Sequence, residues 1–298
     1  MNLQNINIGI IGCGKLGISL ANAFSKLNLL LFCVENNPYK IKTIVENVSK
    51  NVIIYNNINE IEELPNILFL TVPDNQILNL SENIALIFQN KLKNITIVHC
   101  SGSFNTDILI PCEKYGAILA ALHPFQTFYN LNQDNFKNIY WNLQTNGNND
   151  LLIKLIKLIG GHVIDFSKNE NFNKALYHCS ASIASNYLVT IIGFSSRIAD
   201  LAGINSNQFI PPILKTTVEN SIKSLEDLNI PLTGPLARGD LSTIENHLQE
   251  LEPYKTELKI FYHLTMAAAE FAYQNNILDN DSFFNLKTLF LKYLKKEE

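Results

Sequence analysis

The sequence has little charge and lacks the residue patterns of several common protein classes. Charged side chains make up 17% of its 298 residues and the formal net charge is −4. It therefore lacks the clustered positive charge that a phosphate backbone requires, and nucleic acid is not an expected partner. The one dense basic stretch, Lys292 with Lys295 and Lys296, is followed by two glutamates and reads as a solvated helix end. Five cysteines (Cys13, Cys33, Cys100, Cys112 and Cys179) are odd in number and show no C-x-x-C spacing. That pattern suits a reducing cytoplasm, and no metal is expected. No basic segment with a cleavage site precedes the first strand pattern, so a signal peptide is not expected. The longest apolar-looking region, Ala175 to Ala202, is interrupted by His178, Ser180, Ser182, Ser185, Asn186 and Arg197. It reads as a buried helix of a soluble protein and not as a membrane span. There are no internal repeats and no low-complexity linker.

What remains is an apolar chain, 47% hydrophobic, long enough for two domains. Apolar runs at Asn7–Ile11, Leu29–Val34, Val52–Tyr55, Ile67–Val72 and Ile95–His99 alternate with helical patterns. The alternation continues through Gly116–Leu122, Ile139–Gln144, a helix around Leu151–Ile159 and a last strand at His162–Phe166. Such spacing predicts an α/β fold with a doubly wound parallel sheet. Past Ser167 the pattern is helical, with Pro211-Pro212 and Pro231 to Pro235 as the main breaks. The expected organisation is a domain over residues 1–167 and an all-helical domain over 168–298.

The first strand runs into Gly12-Cys13-Gly14-Lys15-Leu16-Gly17 and then a helix. Glycines at this spacing serve three ends: a tight turn at Gly12, close backbone approach to a pyrophosphate at Gly14, and tight helix packing at Gly17. The helix N-terminus offers free N–H groups to phosphate. Alone the motif is weak; between a strand and a helix, with a second strand ending in Glu35, it predicts a Rossmann dinucleotide site. A carboxylate at Glu35 would accept from the adenosine ribose, which leans to NAD(H). Lys40 could still reach the 2′-phosphate of NADP(H).

Ligands of open parallel sheets sit beyond the carboxyl ends of the strands. Three such ends are polar: Thr71-Val72-Pro73-Asp74, His99-Cys100-Ser101-Gly102-Ser103 and His123-Pro124-Phe125-Gln126-Thr127. Val72, Pro73 and Ser101 are candidates to border the cofactor. Ser101, Gly102, His123, Gln126 and Thr127 are candidates to meet a substrate. Asp74 and Ser103 also suit ordinary helix caps. Further on, Lys174, His178, Ser182 and Ser185 fall within roughly 80° on one helix, bordered by Asn186. A ketone reductase needs a proton donor near the developing alkoxide, and Lys174 and His178 are the best candidates. Alternatively Lys174 is a surface lysine and His178 a satisfied core histidine. In Leu232-Thr233-Gly234-Pro235-Leu236-Ala237-Arg238-Gly239-Asp240, Arg238 could clasp a carboxylate, or pair with Asp240.

These residues together resemble a family that joins a Rossmann-like domain to an all-helical domain of unknown function. The markers are the glycine turn, Val72-Pro73-Asp74, Ser101-Gly102, His123 to Phe128, Tyr177-His178 with Ser185-Asn186-Tyr187, and the stretch from Leu232 to Asp240. The family is similar in architecture to 6-phosphogluconate and β-hydroxyacid dehydrogenases, pyrroline-carboxylate reductases and deazaflavin-dependent NADP reductases. Some members look like an alternative type of ketopantoate reductase, serving pantothenate synthesis. The resemblance implies NADP(H), a small 2-oxo acid substrate with 2-dehydropantoate first, and a cytoplasmic homodimer formed through the helical domain. Ketopantoate reductases carry Lys-x-x-x-Asn on the catalytic helix, whereas here Lys174 is followed by His178, so either could be the proton donor. In this reading Asn186 and Ser101 orient the carbonyl, and Arg238 or His123 holds the carboxylate. Two other readings stay open: an imine reductase of the pyrroline-carboxylate kind, and a non-catalytic NAD(P)-sensing protein.

Overall fold

The computed structural model describes residues 6–130, 136–227 and 229–294; Lys295 and Lys296 lie outside them. The described chain divides into two compact units, residues 1–186 and 187–298. The division falls inside a run of helix, some twenty residues past the point near 167 where the strand signals stop.

The first unit is built on an eight-stranded sheet ordered β3-β2-β1-β4-β5-β6-β7-β8. Its strands are β1 (Ile8–Ile11), β2 (Leu30–Val34), β3 (Ile53–Tyr55), β4 (Ile67–Leu70), β5 (Thr96–His99), β6 (Ile118–Pro124), β7 (Tyr140–Thr145) and β8 (His162–Asp165). β1, β2 and β4 are apolar and largely buried because helices cover both faces, whereas the edge strand β3 is partly exposed. On one face α1 (Lys15–Lys26) and α5 (Asp150–Leu158) pack with Ile10, Phe69, Leu122 and Trp141. On the other, α3 (Asp74–Phe88) and α4 (Ile110–Glu113) cover Leu68, Ile97 and Leu119; α2 (Pro38–Asn47) links β2 to β3. The order reverses between β1 and β4, and that switch point places the glycine turn beside the ends of β4 and β5.

Two expectations need correction. The sheet is not parallel throughout: β7 runs antiparallel to β6, and β8 parallel to β7. Among the described residues between β6 and β7 there is no crossover helix, and a direct return is open only to antiparallel strands. Pro211 and Pro212 do not break the chain, because both lie within α8 (Ser206–Asp227). The break falls instead at 202–205, where Gly203 has φ +76°.

The second unit is helical. α9 (Leu241–Leu251), α10 (Lys255–Gln274) and α11 (Asn280–Leu294) share a core of Leu248, Leu258, Ala269, Leu286 and Phe290. The region Ala175–Ala202, expected to be buried, runs through α6 (Lys174–Ser182), a π-helical turn (Ile183–Tyr187) and α7 (Leu188–Leu201). Its apolar side chains Leu176, Ile183, Tyr187, Val189 and Ile191 are exposed in the single chain. Among the described residues no helix is long and apolar enough to cross a membrane.

Candidate active site

The glycine turn has the shape its spacing predicts. Gly12 has φ +87°, a backbone region that L side chains rarely adopt. A Cβ on Gly17 would strike the Gly12 carbonyl and the Thr71 hydroxyl. On Gly14 a Cβ would meet nothing within 4 Å, because that Cα borders a cleft of about 780 Å³. No side chain caps the N-terminus of α1 and no acidic residue sits in its first turn, so its N–H groups are left for an anion. The cleft is lined by Gly12, Gly14, Leu16, Glu35, Asn36, Asn37, Lys40, Val72, Pro73, Asp74, Cys100 and Ser101 among others. These features fit a dinucleotide.

Three expected cofactor residues contribute differently than the motif suggests. The Cys13 side chain is buried beneath the turn; a hydrogen bond with Cys33, then burial, pushes its thiol well up. Lys15 is exposed and lies over the Tyr129 ring, 4.9 Å from its centroid. Glu35 is spoken for by the protein itself. Its Oε2 accepts from the Cys13 N–H at 2.9 Å and from Lys40 Nζ at 3.3 Å. Its Oε1 accepts from the N–H groups of Asn36 and Asn37, each at 3.0 Å. A carboxylate has about four acceptor sites, and these four contacts occupy them, so Glu35 braces the turn. Burial raises its pKa, but the Asn37 and Cys13 amides with Lys40 outweigh burial and hold it below the ordinary range.

The polar strand ends converge on one turn. His99, fully buried at the end of β5, accepts from the Ser101 N–H at 3.2 Å through Nδ1 and lies 3.0 Å from the Asn105 carbonyl through Nε2. Burial, then the charge of Lys174, lowers its pKa to about 3, so it stays neutral. Ser101 Oγ donates to Asp74 at 2.8 Å and accepts from the N–H groups of Ser103 and Phe104. A hydroxyl has one donor and two lone pairs, and these three bonds use them, so Ser101 braces the loop. Asp74 and Ser103 are not helix caps here: Asp74 holds Ser101, and Ser103 Oγ lies 3.2 Å from His178 Nδ1. A Cβ on Gly102 would run into His178 Cδ2 and His123 Nε2, so only glycine admits both rings.

Lys174 opens α6, behind an Asn173 side chain that accepts from the Leu176 N–H. It is no surface lysine: it is 4% exposed and its Nζ has no hydrogen-bond partner. Burial lowers its pKa from 10.5 to about 8, opposed by Cys100 and Asp74. Its charge acts in turn on Cys100, whose thiol burial has pushed up to about 12, and on His99 and His123. His123 is lowered to about 3, by burial first, then by Lys174 and His178. Its Nδ1 lies 2.9 Å from the Tyr177 hydroxyl, a pairing the sequence reading missed. The signal was available, since Tyr177 is three residues beyond Lys174 and shares its helix face.

A second cavity of about 420 Å³ is lined by His123, Gln126, Thr127, His178, Ser182, Ser185 and Asn186 with Phe125, Phe128 and two alanines. The π turn over 183–187 shifts the helix phase, which brings both Ser185 and Asn186 to this lining. Gln126 also accepts from the Thr127 N–H with its own side chain, and Ser182 bonds back to the His178 carbonyl. Arg238 belongs to the second unit. It lies exposed there, and Asp240 caps α9 through Ser242 and Thr243. Among the described residues no group of three or more His, Cys, Asp or Glu could hold a metal ion.

Known proteins share these parts. The family model of a Rossmann-like domain matches residues 1–124, and the domain of unknown function DUF2520 matches residues 145–269. No curated protein sequence matches the chain significantly. Among solved structures, a Bacteroides fragilis protein assigned as an NADP oxidoreductase aligns with TM-score 0.73 at 16% identity, covering 89% of this chain and 98% of its own. A reductive aminase from Aspergillus terreus, in complex with NADPH, aligns with TM-score 0.58 at 14% identity over 98% of this chain and 94% of its own. Pyrroline carboxylate reductase from Plasmodium falciparum, with NADP bound, gives 0.55 at 14% over 97% and 100%. At such identities the likeness is one of fold, the fold of NAD(P)-dependent oxidoreductases. The chain belongs to the family in which a Rossmann-like domain precedes the domain of unknown function DUF2520.

Proposed function

We propose that the chain is an NADP(H)-dependent reductase of a small 2-oxo acid, with 2-dehydropantoate as the first substrate to try. The observation that carries this is Lys174, a buried ammonium with no hydrogen-bond partner, whose charge acts on Cys100 and Asp74 of the large cleft and on His123 of the second cavity. An unpaired buried charge costs several kcal/mol, and a proton donor poised near neutrality is a use that offsets such a cost. Bound in the large cleft, the nicotinamide would supply hydride. Gly12, Gly14 and the N-terminus of α1 would hold the pyrophosphate. Lys174 would give the proton that turns the developing alkoxide into an alcohol, and His178, with Nδ1 tied to Ser103, would help hold the carbonyl. Ser182, Ser185, Asn186 and Thr127 offer uncharged hydrogen bonds for the rest of a small polar substrate.

The engagement of Glu35 favours NADP(H) over NAD(H). With the carboxylate turned onto backbone amides, the adenosine end of the cleft presents Asn36, Asn37 and Lys40, which suit a 2′-phosphate. NADP(H) in two of the similar structures agrees with this. Imine reduction, the reaction of the similar pyrroline carboxylate reductase, is the second reading. It is less favoured because no acidic side chain lines the second cavity to balance an iminium, whereas the charge of Lys174 attracts an anion. The exposed apolar residues on α7 and α8, Val189, Ile191, Phe209, Ile213 and Ile222 among them, support a homodimer paired through the helical domain.

The test is NADPH oxidation in the presence of 2-dehydropantoate and, separately, of pyrroline-5-carboxylate. Turnover of the oxo acid that exceeds turnover of the imine is expected. The reverse preference would replace the proposed substrate class with the imine.

A further inference from the structure

His123 and Tyr177 form a pair that the reductase reading does not by itself require. Tyr177 Oη and His123 Nδ1 are 2.9 Å apart, with the rings edge-on at 5.5 Å between centroids. The Tyr177 ring is held from two further sides by Phe125 at 5.1 Å and Phe172 at 5.6 Å. His123 Nε2 faces Gly102, where a Cβ would lie 2.8 Å from it, and the ring lines the second cavity. Two arrangements of the protons satisfy this distance. In one, the phenol donates to Nδ1 and Nε2 carries the hydrogen; in the other, Nδ1 donates and the phenol hydrogen needs a second acceptor. A phenol is a better donor than acceptor, and an imidazole nitrogen is a strong acceptor, so the first is favoured. Burial raises the Tyr177 pKa and lowers that of His123, so the phenol keeps its proton and the imidazole stays neutral.

We infer that Tyr177 is a positioning residue that fixes His123 as its Nε2–H tautomer, making His123 a neutral hydrogen-bond donor to the oxygen of the reacting carbonyl. The inference rests on the reductase reading for the identity of that oxygen; the tautomer itself does not depend on it. A neutral donor suits the place. A charged imidazole beside Lys174 would be repelled, whereas an N–H dipole stabilises the developing alkoxide without competing for the proton that Lys174 gives. This divides the labour between two groups: His123 polarises and Lys174 protonates.

The experiment is nitrogen-15 NMR of the protein labelled at histidine, with the His123 resonances identified by their loss in His123→Gln. In the wild type, His123 is expected to show a protonated Nε2 and an unprotonated Nδ1. In Tyr177→Phe, which keeps the ring between Phe125 and Phe172 and removes one hydroxyl, the two tautomers are expected to mix. An Nδ1–H form in the wild type overturns the inference, and so does an unchanged pure Nε2–H form in Tyr177→Phe. The wild-type spectrum decides the tautomer even if the variant fails to fold. With 2-dehydropantoate, Tyr177→Phe should lower kcat by about tenfold, and His123→Gln by about a hundredfold or more, with NADPH affinity unchanged in both. Unaltered kcat in His123→Gln would remove His123 from the reaction. The expected tautomer in a protein that reduces neither substrate would leave the pair standing and sink the reductase reading instead.

Discussion

Replacing Lys174 by methionine should make the folded protein more stable at neutral pH while removing its activity. The ammonium is buried, unpartnered and lowered from 10.5 to about 8. The folded state therefore binds this proton more weakly than the unfolded chain does. Each tenfold change in proton affinity is 1.36 kcal/mol, so the burden is about 3 kcal/mol wherever both states are protonated. The sign follows from linkage: the penalty is complete below about pH 8 and is relieved as pH rises from there toward 10.5. Methionine keeps most of the volume and carries no charge. Urea unfolding at pH 7 should show Lys174→Met more stable than the wild type by up to about 3 kcal/mol, a difference that shrinks as the pH is raised through 8 to 10. A variant less stable than the wild type at pH 7, or a difference independent of pH, would mean that Lys174 is paired and structural, and the argument for its role would fall.

Other outcomes follow from the same geometry. Gly102→Ala places a methyl group against His178 and His123; NADPH binding should survive while turnover falls at least tenfold, measured by fluorescence titration and steady-state kinetics. Lys40→Ala removes the one cation among the described residues lining the cofactor cleft; it should weaken NADPH binding by about tenfold or more and leave NADH binding little changed. For kcat/KM in the direction of reduction, activity should be steady near neutrality and fall as pH rises through about 8, as Lys174 loses its proton. His99 and His123, lowered to about 3, should contribute no change between pH 5 and 8.

The parts of this protein that are legible in its sequence are those where backbone geometry leaves few choices. Gly12, Gly14 and Gly17 each meet a separate steric demand, and strands buried on both faces betray themselves as unbroken apolar runs. The reversal of β7 leaves no such mark, because Tyr140–Thr145 would read alike in either direction. The helix stripe from Lys174 to Asn186 was visible as a periodicity, yet the π turn that brings Ser185 and Asn186 to one cavity was not. The protein partners of Glu35 and Ser101 are not legible in the sequence, for a common reason. Side-chain chemistry shows what a group can bond, but which neighbours use up its lone pairs depends on loops that only the fold brings near. The Tyr177–His123 pair was hidden similarly, joining residues 54 positions apart in sequence.

The central claim is a nicotinamide-dependent reduction in which Lys174 donates the proton. It is tested most directly by following NADPH oxidation with 2-dehydropantoate for the wild type and for Lys174→Met, with cofactor binding confirmed in both. The account predicts sustained turnover by the wild type and a loss of about a hundredfold or more in the variant. A wild-type protein that binds NADPH and oxidises none, or a variant that turns over at the wild-type rate, would contradict it.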